Sequence, residues 1–254
     1  SDYQTLDLFS AETDHHASAR RFSDAPLFAY RLADAVNRPY AATASGHDWA
    51  FIKEQNLPGL VRGWMALSYA AGHCLMAPHR QWCYTPEKGT HWYQGPAEKF
   101  APLYQFVRRH AALFDGYENF ADIAVVLPHR AFLQNPNRWF ELCHRLAATN
   151  ISYRLLLAGD EIVDHPLTAT DFKATPAFLI PDTTELLPAD RQWVEEQAKR
   201  QRVFTTAQAA VTAVRPAVQV TGSAPVRALA RVKPGGAVIH LLNGDYDPAR
   251  DEVR

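Results

Sequence analysis

Cysteine is scarce in this 254-residue sequence, at 3 residues. Cys74, Cys83 and Cys143 are odd in number and contain no CxxC pair. That argues against a disulfide framework and against a cysteine-ligated zinc site. No apolar run is long enough to span a bilayer, and no signal peptide opens the chain, so a membrane role has no support. With 26 basic and 27 acidic residues interspersed, the sequence also lacks the basic face that a nucleic-acid partner requires. GxGxxG, P-loop and HExxH motifs are missing, and with them the common signals for a bound cofactor. The sequence does not begin with Met, so a processed or truncated form is expected, and localisation is not readable.

What remains is a globular composition, 47% apolar and 21% charged, large enough for one big domain or two medium ones. Tryptophan, tyrosine and histidine are well supplied, at 6, 10 and 11 residues, which suits a protein that handles carbohydrate or another small polar ligand.

Residues 1–118 alternate strand-like runs, polar clusters and amphipathic helices. LDLFSA (6–11), PYAATA (39–44) and HCLMAP (73–78) read as buried strands. Helical spacing runs through 19–36, with a break expected at Pro26, then through 58–72, ending on Gly72, and through 98–114. A polar cluster follows each strand, and βα folds gather their functional loops at the carboxyl ends of strands. Residues 119–215 read as a second, doubly wound α/β unit, with strands at 122–128, 152–158, 177–182 and 202–206 and helices at 137–149 and 189–201. Cys143 falls mid-helix there, where it reads as a small buried apolar residue. Residues 216–254 predict two or three antiparallel strands, at 217–223, 226–234 and 237–247, as the start of a small β domain.

PGLVRGWMALSYAAGHCLMAPHRQWC, GTHWYQGPAEKFAPLYQFVRRHAALFDGYE and IAVVLPH, in that order, resemble the GH42-like β-galactosidases and related glycoside hydrolases. The resemblance implies an α/β chain made of the last three βα units of a TIM-type (β/α)8 barrel, then a flavodoxin-like, glutamine-amidotransferase-like trimerisation domain, then a β tail. It implies hydrolysis of a β-linked galactoside or similar oligosaccharide by carboxylate acid/base chemistry, assembly into a homo-oligomer, and no cofactor. Two departures stand out. Three strands cannot close a barrel, so the remainder must come from a longer polypeptide or a second chain. And PYAATASGHDW, the segment matching the strand that ends on the family's nucleophile, contains no glutamate.

The candidate catalytic residues are therefore Glu12, Asp48 and His79. Glu12 directly follows the first apolar run. Asp48 either replaces the missing nucleophile or anchors its own loop, and His79 would donate a hydrogen bond or carry a proton. His47, Trp49, Arg80, Trp82, Glu87, His91, Trp92 and Tyr93 are the candidate substrate-binding residues. Aromatic faces suit the apolar C–H face of a sugar, and the Arg80 fork suits a carboxylate or sulfate. Asp14 reads equally as a helix cap. His15 and His16, being adjacent, lack the spacing of ligands on one face, so no metal is expected. Two rival readings stand beside hydrolysis of a neutral glycan: a non-catalytic carbohydrate-binding or oligomerisation module, and an enzyme for uronate or sulfated sugars.

Overall fold

A computed structural model of the chain describes residues 7–78, 93–173, 175–222 and 225–254. It is a mixed α/β protein with two parallel sheets. The first holds β1 (Phe9–Thr13), β2 (Tyr40–Ala44) and β3 (Cys74–Leu75) in sequence order. Glu12 lies opposite Thr43, and Ala41 opposite Cys74. Every residue of β2 is buried, as in a parallel strand covered on both faces. Ser10, Ala11 and Glu12 of β1 are exposed, and β1 is an edge of this sheet among the described residues.

Helix α1 (Leu27–Ala35) begins immediately after Pro26; the residues before it form only a short 3-10 turn at Ala17–Ala19. Proline has no N–H to give a preceding turn, so the long helical period divides there. Helix α2 (Gly46–Gln55) takes in residues that the sequence suggested as a loop. Ser45 is its N-cap and accepts from the Asp48 amide at 3.2 Å. Helix α3 (Pro58–Ala70) starts on proline, and the chain leaves it through Gly72, whose φ of 91° favours glycine. The strongly amphipathic α4 (Ala97–Arg109) precedes the short β4 (Glu118–Asn119).

The second parallel sheet contains β5 (Ile123–Pro128), β6 (Tyr153–Ala158), β7 (Ala177–Leu179) and β8 (Arg202–Phe204), in the order β6-β5-β7-β8. Its connections carry α5 (His129–Gln134), α6 (Pro136–Ala148), α7 (Ala169–Lys173) and α8 (Pro188–Ala198), and α9 (Ala207–Ala213) follows β8. The winding leaves β5 toward β6 and then reverses to β7, so strand order switches between β5 and β7. Trp139, Leu142 and Leu146 of α6 are buried together, and Cys143 beside them is 1% exposed. Burial pushes the Cys143 thiol pKa far up, so it stays protonated.

In the tail, β9 (Val226–Lys233) and β10 (Gly236–Asn243) form an antiparallel hairpin that turns at Gly235 and extends to β4. The strand expected at 217–223 is not formed in the described residues 217–222; the Ala217 amide instead donates to Asp122 Oδ1 at 2.8 Å. A small hairpin of β11 (Tyr246–Asp247) and β12 (Glu252–Val253) follows.

Leu8–Tyr30, Pro39–Glu118 and Val220–Arg254 make one compact unit, and Arg31–Arg38 with Asn119–Gln219 belong to the other. The tail, given its own boundary in the sequence reading, thus shares a unit with the first parallel sheet. Both carboxylate oxygens of Asp251 accept from the Gly59 amide near the start of α3, at 2.7 and 2.9 Å, and Arg227 pairs with the buried Asp24 at 2.7 Å. Among the described residues no helix is long and apolar enough to cross a membrane.

Candidate functional site

The carboxyl ends of β1 and β2 are joined through Asp48. It lies in the first turn of α2 and is 4% exposed. Its Oδ2 accepts from the His15 amide at 2.8 Å and the Ser45 hydroxyl at 2.9 Å; its Oδ1 accepts from the Ala17 amide at 2.8 Å. Both oxygens are committed to holding the loop after β1 against the helix after β2.

His15, fastened through its own amide, is fully buried. Its Nδ1 lies 2.8 Å from the Thr13 carbonyl oxygen, so Nδ1 carries the proton, and its ring packs on Trp64 of α3 at 4.5 Å. Burial lowers its pKa to about 4, against the opposing pull of the Thr13 carbonyl and the Asp48 charge. Neighbouring His16 is exposed, in a left-handed conformation, and pairs with Asp14 at 3.3 Å. Adjacent histidines therefore have opposite environments, and no group of three potential ligands that could hold a metal occurs among the described residues.

Trp49 extends the buried layer. It is 1% exposed, stacks on Tyr93 at 5.4 Å with planes 6° apart, meets Trp64 edge-on at 5.8 Å, and donates from Nε1 to Thr43 Oγ1 at 3.1 Å. Tyr93 is itself buried. Trp49 and Tyr93, both expected to bind substrate, are thus packed against one another. Glu12 and His47 are exposed. By strand alternation Glu12 shares a face of the sheet with Thr43. The structure thus brings Asp48, Trp49 and Tyr93 together with His15 and Trp64, whose part in this layer the sequence reading missed. The signal for His15 was its position two residues beyond a strand end, facing a Trp-bearing helix. His79, Arg80, Trp82, Glu87, His91 and Trp92, like Cys83, lie outside the described residues.

No protein-family model matches this sequence. A search of characterised proteins gives two distant relatives, both named α-agarase. One, from Thalassotalea agarivorans, is 26% identical over 218 residues, covering 79% of this chain and 14% of that protein. The other, from Alteromonas agarilytica, is 26% identical over 214 residues, covering 79% of this chain and 15% of that protein. This chain is similar to the α-agarases. It spans about a seventh of their length. Among solved structures, α-L-fucosidase isoenzyme 2 from Paenibacillus thiaminolyticus overlaps 72% of this chain and 27% of its own, at 16% identity and a TM-score of 0.45. That likeness is too loose to fix the fold, which rests on the strand pairings alone.

Proposed function

We propose that this chain is part of a glycoside hydrolase acting on a galactose-type oligosaccharide. The observation that carries the reading is the likeness to two α-agarases across 79% of the chain. The name of those relatives favours an α linkage, where the motif resemblance to β-galactosidases favours a β linkage. The three parallel βα units are read as the last part of a TIM-type barrel. The exposed edge of β1 is where the remaining strands, from a longer polypeptide or a second chain, would pair. The doubly wound unit takes the flavodoxin-like assembly role, and the protein forms homo-oligomers.

In this reading Glu12 is the available acid or base. A glycosidase needs two carboxyl groups across the scissile bond, one to protonate the leaving oxygen and one to attack or to activate water. Glu12 supplies one, and its partner lies on strands beyond this chain. Asp48 acts as a positioning residue that sets the β1 loop through His15 and Ala17. His47 contributes a hydrogen bond, and His79, Arg80, Trp82, Glu87, His91 and Trp92 are the further candidate contacts to sugar.

The test is saccharide release by the full-length polypeptide, from agarose and from an aryl β-galactoside. Glu12→Gln is expected to lower kcat at least a hundredfold with an unchanged melting temperature, and unchanged turnover would remove Glu12 from the mechanism. Asp48→Asn is expected to lower kcat through loop displacement, with a loss of stability alongside. A second reading, a non-catalytic carbohydrate-binding module, is favoured by the missing glutamate in PYAATASGHDW; saturable glycan binding without any release would select it.

A further inference from the structure

The doubly wound unit carries a second polar cluster, at the carboxyl edge of its sheet. His129 directly follows β5, Asp160 lies just beyond β6, and Asp182 just beyond β7. These are the strands about which the order reverses, and open α/β sheets form their ligand crevice at such an edge.

His129 is fixed there with unusual care. Its Nδ1 lies 2.7 Å from Asp160 Oδ2, and the other carboxylate oxygen accepts from the Ile162 and Val163 amides at 2.9 and 2.8 Å. The Asp160 side chain is 5% exposed and the His129 ring 19%. Burial alone would raise the Asp160 pKa, but the His129 and amide hydrogen bonds outweigh it and hold the pKa at about 2. The turn that brings those amides round depends on Gly159, where a Cβ would lie 2.0 Å from the Val163 carbonyl oxygen. With Asp160 saturated and Nδ1 taken, Nε2 of His129 is the atom left to meet a ligand. At the same edge, Arg130 pairs with Glu161, and Arg138 holds the β7 loop through Asp182 Oδ2 and the Pro181 carbonyl, each at 3.2 Å.

We propose that this edge is a saccharide-binding site in which His129 Nε2 takes a hydroxyl of a neutral sugar. Three features select that ligand. Two guanidinium groups face three carboxylates, so the edge does not attract a phosphate or sulfate. The β5–α5 turn is Pro128-His129, without the glycines that let a backbone cradle a phosphate. A hydroxyl both donates and accepts, so it satisfies Nε2 whether the imidazole is neutral or protonated. The sugar class rests on the glycoside hydrolase reading; the site itself rests on the dyad and its place in the sheet.

The experiment is a long-range proton–nitrogen NMR titration of the histidine rings in the 254-residue chain, with His129 assigned by the signal lost in His129→Gln. The probes are an agarose-derived tetrasaccharide, methyl β-galactoside and inorganic sulfate. A saturable shift of His129 Nε2 with a neutral sugar is expected, weakened at least threefold in Asp160→Asn, which frees the ring to change tautomer. A shift with sulfate alone, or no shift with any probe, overturns the proposal. The titration reads binding without turnover. A polypeptide that releases no saccharide while His129 still responds sinks only the hydrolase reading; active hydrolysis with a silent His129 sinks only this one.

Discussion

Asp48 shows how much of a residue's role depends on what stands opposite it. Its position in SGHDW made it a candidate nucleophile; in the structure its two oxygens accept from three donors, at His15, Ala17 and Ser45. Nothing in the local sequence announces His15 and Ala17 as those partners, because they belong to a different strand end. His15 is a matching case. With a pKa of about 4 against an ordinary 6.5, it is neutral when folded, while the unfolded chain binds its proton first as pH falls. Stability is therefore complete above about pH 6.5 and is lost progressively toward pH 4, by about 3 kcal/mol. Urea midpoints measured across that range should fall in the wild type and much less in His15→Gln; parallel curves would assign the acid sensitivity to another group. Asp160 acts in a lower window. Its depressed pKa of about 2 stabilises the fold above the ordinary carboxylate range, and that contribution disappears as pH drops toward 2.

Elements with a strong period were legible, and those defined by partners were not. The buried run IAVVLP became β5, and Trp139, Leu142 and Leu146 became the inner face of α6. Helix α2 was missed because its first turn is polar, though Ser45 three residues before Asp48 is a capping arrangement. AVQVTG looked like a strand by composition, but Asp122 takes the Ala217 amide that a strand would have used. The hairpin of β11 and β12 is defined by a partner too, since Asp251 in the intervening turn caps Gly59, 192 positions away. A Cβ on Gly59 would lie 2.1 Å from the Asp251 carbonyl oxygen, and backbone cannot yield as a side-chain tip can. Gly59→Ala should cost about 2 kcal/mol or more, and should speed proteolysis within residues 244–254. Cleavage at the wild-type rate would show that the tail is held by other contacts.

For the whole molecule, sequence order and compact units do not coincide. The doubly wound unit was visible from four apolar runs separated by helices. The other unit was not, because its tail enters through ion pairs and caps that leave no periodic trace, such as Arg227 on Asp24. The exposed edge strand β1 has a consequence at this scale. Unpaired strand edges recruit other strands, and lysine on the edge blocks that. The 254-residue chain on its own should therefore self-associate, and Ala11→Lys should shift its sedimentation toward the monomer. An unchanged sedimentation profile would clear β1 of responsibility.

The contact between Gly59 and Asp251 also sets an order in time. As the chain leaves a ribosome, residues 119–219 emerge together and can close their own sheet early. Helix α3 is made long before them, yet its capping carboxylate is synthesised after them. The unit that holds α3 thus closes after residues 119–219 are made, and until Asp251 arrives the start of α3 must rely on water for the hydrogen bond it will later make with protein.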